Sequence, residues 1–369
     1  MSANDVIDGD RFAAALTSGI HRVLGQQDLL NRINVFPVAD SDTGTNLSLS
    51  LGSALGVLRS DGEQHLGTLL AAVADALLDG ARGNSGAIMA QFFQGMSDAA
   101  GENTRFTTYT FAKAASTGSE YAHDALSEPR EGTILSVIAA FARCLDHRVT
   151  NDPEEDFASL FSAACERVEE ALAATPTQLD VLRKAGVVDA GAKGFAELIA
   201  GFSDYLQSGE IEPMPDIELS DEFAAPVEFA ETDNESQYRF CTECLVTGED
   251  IDRRKLREAL APLGDSFVLA GSKRKAKIHI HVDEPDTVFE TAAAFGKVVG
   301  QKADDMHRQQ HATHDGGRRF AVITDSAADI PDADMERLDI HMVPCRIQFG
   351  DRGYLDKVSI TTDEFYEEL

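Results

Sequence analysis

Apolar residues recur at helical spacing through the first two hundred positions of the chain. Between 10 and 26, Phe12, Leu16, Ile20, Val23 and Leu24 share one helix face. The same period returns at about 46–58, 66–79, 84–99, 106–125, 131–146, 155–174 and 189–207, with short polar or Gly-containing turns between. Eight helices with essentially no strand signal make 1–207 an all-α segment. The stretch 208–236 loses that period, is acidic and holds Pro213, Pro215 and Pro226, which reads as an extended linker. After Gln237 strands and helices alternate. Tyr238–Val246, Ser266–Gly271 and Lys275–Val282 read as strands, and 252–260 and 286–299 as helices. That predicts a small α+β domain over 237–312. Residues 319–369 open another pattern: a strand into a turn at Arg319–Pro331, strands at Ile340–Pro344 and Ile347–Tyr354, and a helix from Thr362.

Length and charge narrow the classes. A chain of 369 residues exceeds one ordinary core, so two or three domains are expected. A net charge of −31 repels nucleic acid, whose binding rests on cationic contacts to phosphate. No run of 18 apolar residues marks a membrane span, and the acidic N-terminus lacks the basic start of a signal peptide. Cytoplasm is the expected location. The five cysteines are too scattered for a disulfide framework, and Cys144 and Cys165 read as core residues.

Candidate chemistry concentrates at Asn34–Asn46, where Asp40 and Asp42 precede Thr43, Gly44, Thr45 and Asn46. Carboxylate oxygens suit Mg²⁺, and a Gly-hydroxyl-amide run at a helix start suits phosphate. An EF-hand loop fails, because its sixth position would be Thr45 and its twelfth Leu51. A phosphatase loop with Asp40 as nucleophile wants an uninterrupted strand before it, which Pro37 spoils. A plain acidic turn capping the next helix is the remaining alternative.

Three further stretches belong with this one: Gly80–Gly86, Pro129–Leu135 and Arg183–Gly194. Together, in this order, the four resemble the ATP-binding domain of the dihydroxyacetone kinase family. They are more similar still to the ATP-binding subunit of bacterial fatty acid kinase. The resemblance implies an eight-helix barrel with ATP and Mg²⁺ at one end. By it, Asp40 and Asp42 match the Mg²⁺ aspartates, and Asn34 stands near a third ligand position. Thr43, Gly44, Thr45 and Asn46 match the phosphate loop; Asn84, Ser85 and Gly86 match the Gly-rich nucleotide loop. Gly132, Thr133 and Ile134 match a segment beside the nucleotide, and Arg183, Asp189, Ala190 and Gly191 match the last contacts. Ala39 and Ser41 stand where the family pattern has Pro and Gly.

The 237–312 segment resembles the middle domain of the same kinase, with Cys241-Thr-Glu followed by His279-Ile-His281. Residues 319–369 resemble the opening of a DegV-type fatty-acid-binding domain, cut before its lipid-binding serine loop, so a fragment of a fused protein is expected. On a strand, period two puts His279 and His281 on one face. With Cys241 from a neighbouring strand they would make three Zn²⁺ ligands. Cys244 falls on the opposite face of its strand and is left out. An ordinary half-buried strand is the alternative.

Three functions fit these features: a kinase forming an acyl phosphate on a fatty acid, a dihydroxyacetone-type kinase acting on a small polyol or ketose, and a nucleotide-binding regulator without turnover. The fatty acid would arrive on a DegV-type domain, in cis or in trans. The family also implies a homodimer.

Overall fold

The computed structural model describes residues 6–369 except 38, 40, 60–64, 216–237, 307–321, 339, 350–351, 357–361, 363–364 and 367–368. The first segment is helical. It runs β1 (Val6–Asp8), α1 (Gly9–Gly25), α2 (Gln27–Arg32), α3 (Thr43–Gly52), α4 (Leu55–Leu58), α5 (Leu66–Gly80), α6 (Gly83–Ala100), β2 (Arg105–Thr107), α7 (Thr108–Asp124), α8 (Ile134–Asn151), α9 (Phe157–Gln178), α10 (Asp180–Ala185) and α11 (Ala190–Ser208). Side-chain caps explain several starts. Asp8 accepts from Arg11 N at 2.9 Å, Asp156 from Ser159 N at 2.8 Å and Asp189 from Ala192 N at 2.8 Å. Thr107 and Thr110 cap α7 reciprocally.

Neighbours in this segment close on themselves. α5 packs on α6, α6 on α7, α7 on α8, α8 on α9, α9 on α11, α11 on α1, and α1 back on α5. Inside lies a phenylalanine cluster, in which Phe161 and Phe202 stack at 4.8 Å and Phe12, Phe92, Phe111, Phe141 and Phe195 meet others edge to face. One feature departs from the sequence reading: β1 and β2 form an antiparallel pair, with Ile7 opposite Phe106 and both buried. Three-residue strands are too short to register as a period.

The second segment runs β3 (Phe240–Thr247), α12 (Arg253–Leu260), β4 (Asp265–Gly271), β5 (Lys275–Val282), α13 (Pro285–Ala293) and β6 (Lys297–Asp305). The antiparallel sheet has the order β4-β5-β3-β6. The helix read over 286–299 is corrected here: it stops at Ala293, and β6 begins at Lys297. The alanines before Gly296 carry a helix, whereas Val298 and Val299 after it favour a strand. The sheet has two buried faces. Cys244, Val246, Ile278, Ile280 and Val282 pack under α12 and α13 with Leu256, Leu260 and Val288. The opposite face sends Val268 and Ala270 into the helical core.

That second contact joins helices and sheet in one compact unit, Met1–Asp305. The chain at 125–127 lies along the β4 edge, with Leu269 N donating to Ala125 O at 2.9 Å and Ser127 N to Phe267 O at 3.1 Å. Lys275 Nζ bridges to Asp79 at 2.7 Å and Asp75 at 3.0 Å on α5. The start of the expected linker also packs: Glu212 N donates to Ser18 Oγ at 3.1 Å, and His21 Nδ1 donates to Glu212 O at 2.7 Å. Most of the remaining linker, from 216 onward, lies outside the described residues.

Met306–Leu369 is a second unit. In it β7 (Val322–Asp325) and β8 (Ile340–Val343) pair in parallel across α14 (Asp332–Leu338). β9 (Arg346–Phe349) and β10 (Arg352–Leu355) form an antiparallel hairpin. Buried Ser326 accepts from Cys345 N through its hydroxyl at 2.8 Å. Much of the helix read from Thr362 lies outside the described residues.

The phenylalanine cluster yields a test. Phe161→Ala removes a stacked, fully buried ring and should cost about 3–5 kcal/mol, read as a lower urea midpoint at unchanged slope.

Candidate active site

Two helix starts meet at one end of the helical segment, those of α3 and α6. Both leave backbone N–H groups without intrahelical partners. A single hydroxyl ties them together: Ser50 Oγ accepts from Arg82 N at 2.9 Å and donates to Asn46 O at 2.6 Å. Asn31 grips the α3 loop from the other side. Its Oδ1 accepts from Thr45 N at 3.0 Å, and its Nδ2 donates to Thr45 Oγ1 at 3.1 Å. Close approach explains two of the glycines. A Cβ on Gly44 would stand 2.1 Å from Gln27 O, and one on Gly83 would stand 2.8 Å from Asn46 Nδ2. Gly83 also has φ +57, a conformation that costs an L side chain about 1–2 kcal/mol.

The other sequence-predicted residues largely gather here. A Cβ on Gly191 would lie 2.9 Å from Ser85 Oγ and 3.5 Å from Ile134 Cβ, so three of the four motifs adjoin. Asp189 fastens two of them, since its carboxylate accepts backbone hydrogen bonds from Ala192 and Ile134. Its own N–H donates to Thr175 Oγ1 at 3.2 Å. Thr133 caps α8, Gly132 sits at φ +83 just before it, and Ala190 opens α11. Asn84 Oδ1 is buried without a hydrogen-bond partner among the described residues.

Asp42 immediately precedes α3, but its carboxylate makes no capping bond; the helix start is closed by Asn46 N on Asp42 O at 2.8 Å. The capping alternative for Asp42 therefore has no support in the geometry. Asn34 is buried. Asp40 lies outside the described residues. Ser41 holds φ +57, which is why glycine suits that position. Arg183 faces outward, paired with Asp180 at 2.7 Å.

A second cluster sits on the sheet face turned toward the helices. The β3–β5 register sets Cys241 opposite His281 and Glu243 opposite His279. Ligand atoms of Cys241, His279 and His281 all lie within 4.8 Å of one another. Each imidazole has a carboxylate beside Nδ1: Glu243 at 2.9 Å from His279 and Asp265 at 3.4 Å from His281. Burial and the neighbouring His279 push His281 down to about 3, so it is neutral. Its approach to Asp265 is thus no ion pair, and neither atom completes a hydrogen bond. Burial opposes the His279 charge, but Cys241 and Glu243 outweigh it and hold that imidazole well above its ordinary value. A carboxylate behind Nδ1 is the arrangement that metal-binding histidines use. The residues fit a Zn²⁺ site. Cys244, by contrast, lies in the apolar core, where burial pushes its thiol up to about 12.

The two clusters touch. Gly83 N donates to Glu243 Oε1 at 3.2 Å, and that oxygen also accepts from His279 Nδ1. Burial opposes the Glu243 charge, but His279 and Lys277 outweigh it and hold the carboxyl down at about 2.

Three stretches of the chain match known families. Residues 37–204 match the DAK2 domain, 237–313 the middle domain of the FakA-like fatty acid kinases, and 319–369 the DegV family. The chain thus matches, in order, a DAK2 domain, a FakA-like middle domain and a DegV-family segment. An uncharacterized protein of Staphylococcus saprophyticus is 31% identical over 335 residues, covering 88% of this chain and 60% of that one. Protein YloV of Bacillus subtilis is 33% identical over 317 residues, covering 83% and 57%. The chain therefore spans 60% and 57% of these relatives' lengths. The dihydroxyacetone kinase of C. freundii, solved with AMP-PNP and Mg²⁺, aligns over 52% of this chain and 33% of its own at 16% identity and a TM-score of 0.41.

Asp189 provides a pH test. Burial raises its carboxyl from 3.8 to about 6, above the unfolded value. Between those values the folded state binds the extra proton, so this group favours folding increasingly as pH falls through the window. Asn cannot titrate. Stability of wild type relative to Asp189→Asn should rise by up to about 3 kcal/mol between pH 7 and pH 4. Urea unfolding across that range reads it; a flat difference would rule out the raised carboxyl.

Proposed function

We propose that this chain is the nucleotide-binding part of a kinase that converts a carrier-bound fatty acid to an acyl phosphate. The observation that carries the nucleotide reading is the convergence of the α3 and α6 starts around Asn84, whose buried acceptor has no partner among the described residues. Backbone N–H groups at Gly44–Asn46 and Asn84–Gly86 would hold phosphate oxygens. The helices, read as a closed barrel of eight, would hold these loops rigidly at one end. Asp42 with Asp40 would hold Mg²⁺, which supplies charge neutralisation during phosphoryl transfer.

The acceptor distinguishes the readings. A fatty acid carboxylate is ionised at neutral pH and asks for no general base, whereas a polyol hydroxyl does. The DegV segment supports lipid delivery, in cis or in trans, and the middle-domain match supports the fatty acid assignment. No described helix is long and apolar enough to cross a membrane. A cytoplasmic location, a homodimer and zinc on Cys241, His279 and His281 complete the proposal.

ATP consumption should appear with a fatty acid plus a DegV-type carrier and be absent with dihydroxyacetone or with neither. Turnover on dihydroxyacetone alone would reverse the substrate assignment. Asp42→Ala should abolish transfer and leave the melting temperature within about 2 °C, since the carboxylate caps nothing. Retained turnover with a lowered melting temperature would remove Asp42 from the metal site.

A further inference from the structure

We propose that the sheet completes the nucleotide site: Glu243, by its reach and not by its charge, is a positioning residue that holds the first residue of α6 in place for the ligand. This rests on the nucleotide reading of that helix start, and no metal enters it. The sheet fastens α6 at two points along its length. One is Gln91, about 12 Å along the helix from its start. There Nε2 donates to Gly271 O at 3.2 Å, and Arg253 Nη1 donates to the same carbonyl. The other is the start itself, where Gly83 N donates to Oε1 of Glu243 at 3.2 Å, across 160 positions of chain. Glu243 is buried and held from its other sides, with His279 Nδ1 2.9 Å from Oε1 and Lys277 Nζ 3.7 Å from Oε2.

The helix start needs such a hold. Gly83 has φ +57 and no side chain, and Gly80 and Gly86 flank it, so the backbone here has many conformations to lose. Its N–H is an orphan donor, and the amides of Asn84 and Ser85 follow it directly. Fixing Gly83 therefore fixes the direction of the amides proposed to take phosphate. A loop ordered before the ligand arrives loses less entropy when the ligand binds. Substitution separates the two attributes of Glu243. Asp keeps a carboxylate beside Lys277 but is one methylene short of Gly83. Gln keeps the length and an acceptor oxygen but loses the charge.

The test titrates the full chain with AMP-PNP in the presence of Mg²⁺ by calorimetry, with the melting temperature read alongside. Glu243→Asp should weaken AMP-PNP binding about fivefold or more, whereas Glu243→Gln should stay within about twofold of wild type even if it melts lower. Gln91→Met loosens the other fastening of the same helix. It should lower the melting temperature and leave AMP-PNP affinity within about twofold. In wild type without nucleotide, the Gly83 amide should be protected from hydrogen exchange, and Glu243→Asp should lose that protection. A Gly83 amide that exchanges freely in wild type would overturn the proposal, even if Glu243→Asp does not fold. Wild-type affinity in Glu243→Asp would do the same, and so would a loss in Glu243→Gln as large as in Glu243→Asp, the sign of a role for the charge. An equal loss in Gln91→Met would reduce Glu243 to one stabilising contact among several and end its positioning role. Each of these results leaves the nucleotide reading standing. Wild type that binds no AMP-PNP would bring down that reading and the proposal with it.

Discussion

The arrangement of the site depends on how closely two helix starts approach. α3 and α6 reach one another because position 86 has no side chain: a Cβ there would stand 2.2 Å from Ser50 Oγ. With that space open, the Ser50 hydroxyl bonds across the gap to Arg82 N and Asn46 O. Two sets of orphan N–H groups then face one region. No cation is needed to create an anion site of this kind, since aligned peptide dipoles give a helix start roughly half a positive charge. Everything else in the helical segment holds that junction in place, from the Asn31 clamp on Thr45 to the Asp189 bond that draws Ile134 toward α11.

The sheet is part of the same construction. Its outer face needs α12 and α13 to cover it, and its inner face needs the helices, because Val268 and Ala270 belong to the helical core. Burying that inner face carries Cys241, Glu243, Lys277, His279 and His281 inward. Ionisable groups are expensive to bury unless paired, and here they pair chiefly with one another and with Gly83 N–H. The packing that stabilises the unit thus also sets the Cys241–His279–His281 cluster against the start of α6.

Periodicity revealed what repeats and missed what does not. The long helices were legible because each carries several turns of buried apolar positions, as in Phe12, Leu16, Ile20 and Val23 of α1. Alternation on β5 was equally plain, and alternation on β3 turned Cys244 away from Cys241, into the core under α12 and α13. The β1–β2 pair escaped because three residues make no period, and β6 because the alanine-rich α13 ends at Ala293, just short of it, and masked the change. Asn31, Ser50 and Glu243 were missed for a different reason. Each acts through a bond to backbone from 14 to 160 positions away, and nothing local marks such a bond. The Glu of Cys-Thr-Glu was in view, but its partner was invisible until the sheet was seated on the helices.

Charge completes the picture. Under the proposed function a chain of net charge −31 would bind a polyanion. Screening at physiological salt limits the reach of exposed charge to about 8 Å, so the distant acidic surface matters little at the site. What counts is local: the starts of α3 and α6, Arg82 and the buried Lys277 beside Glu243. Glu243 itself is an anion at the helix start where phosphate would lie, and it is not a rival only because it binds from the sheet side at the first N–H. Its charge is taken up by His279 and Lys277, leaving the later donors of α6 free for another anion. The positive end of α6 thus meets a fixed internal carboxylate at its first N–H, and in the proposed function the donors that follow would take the phosphate.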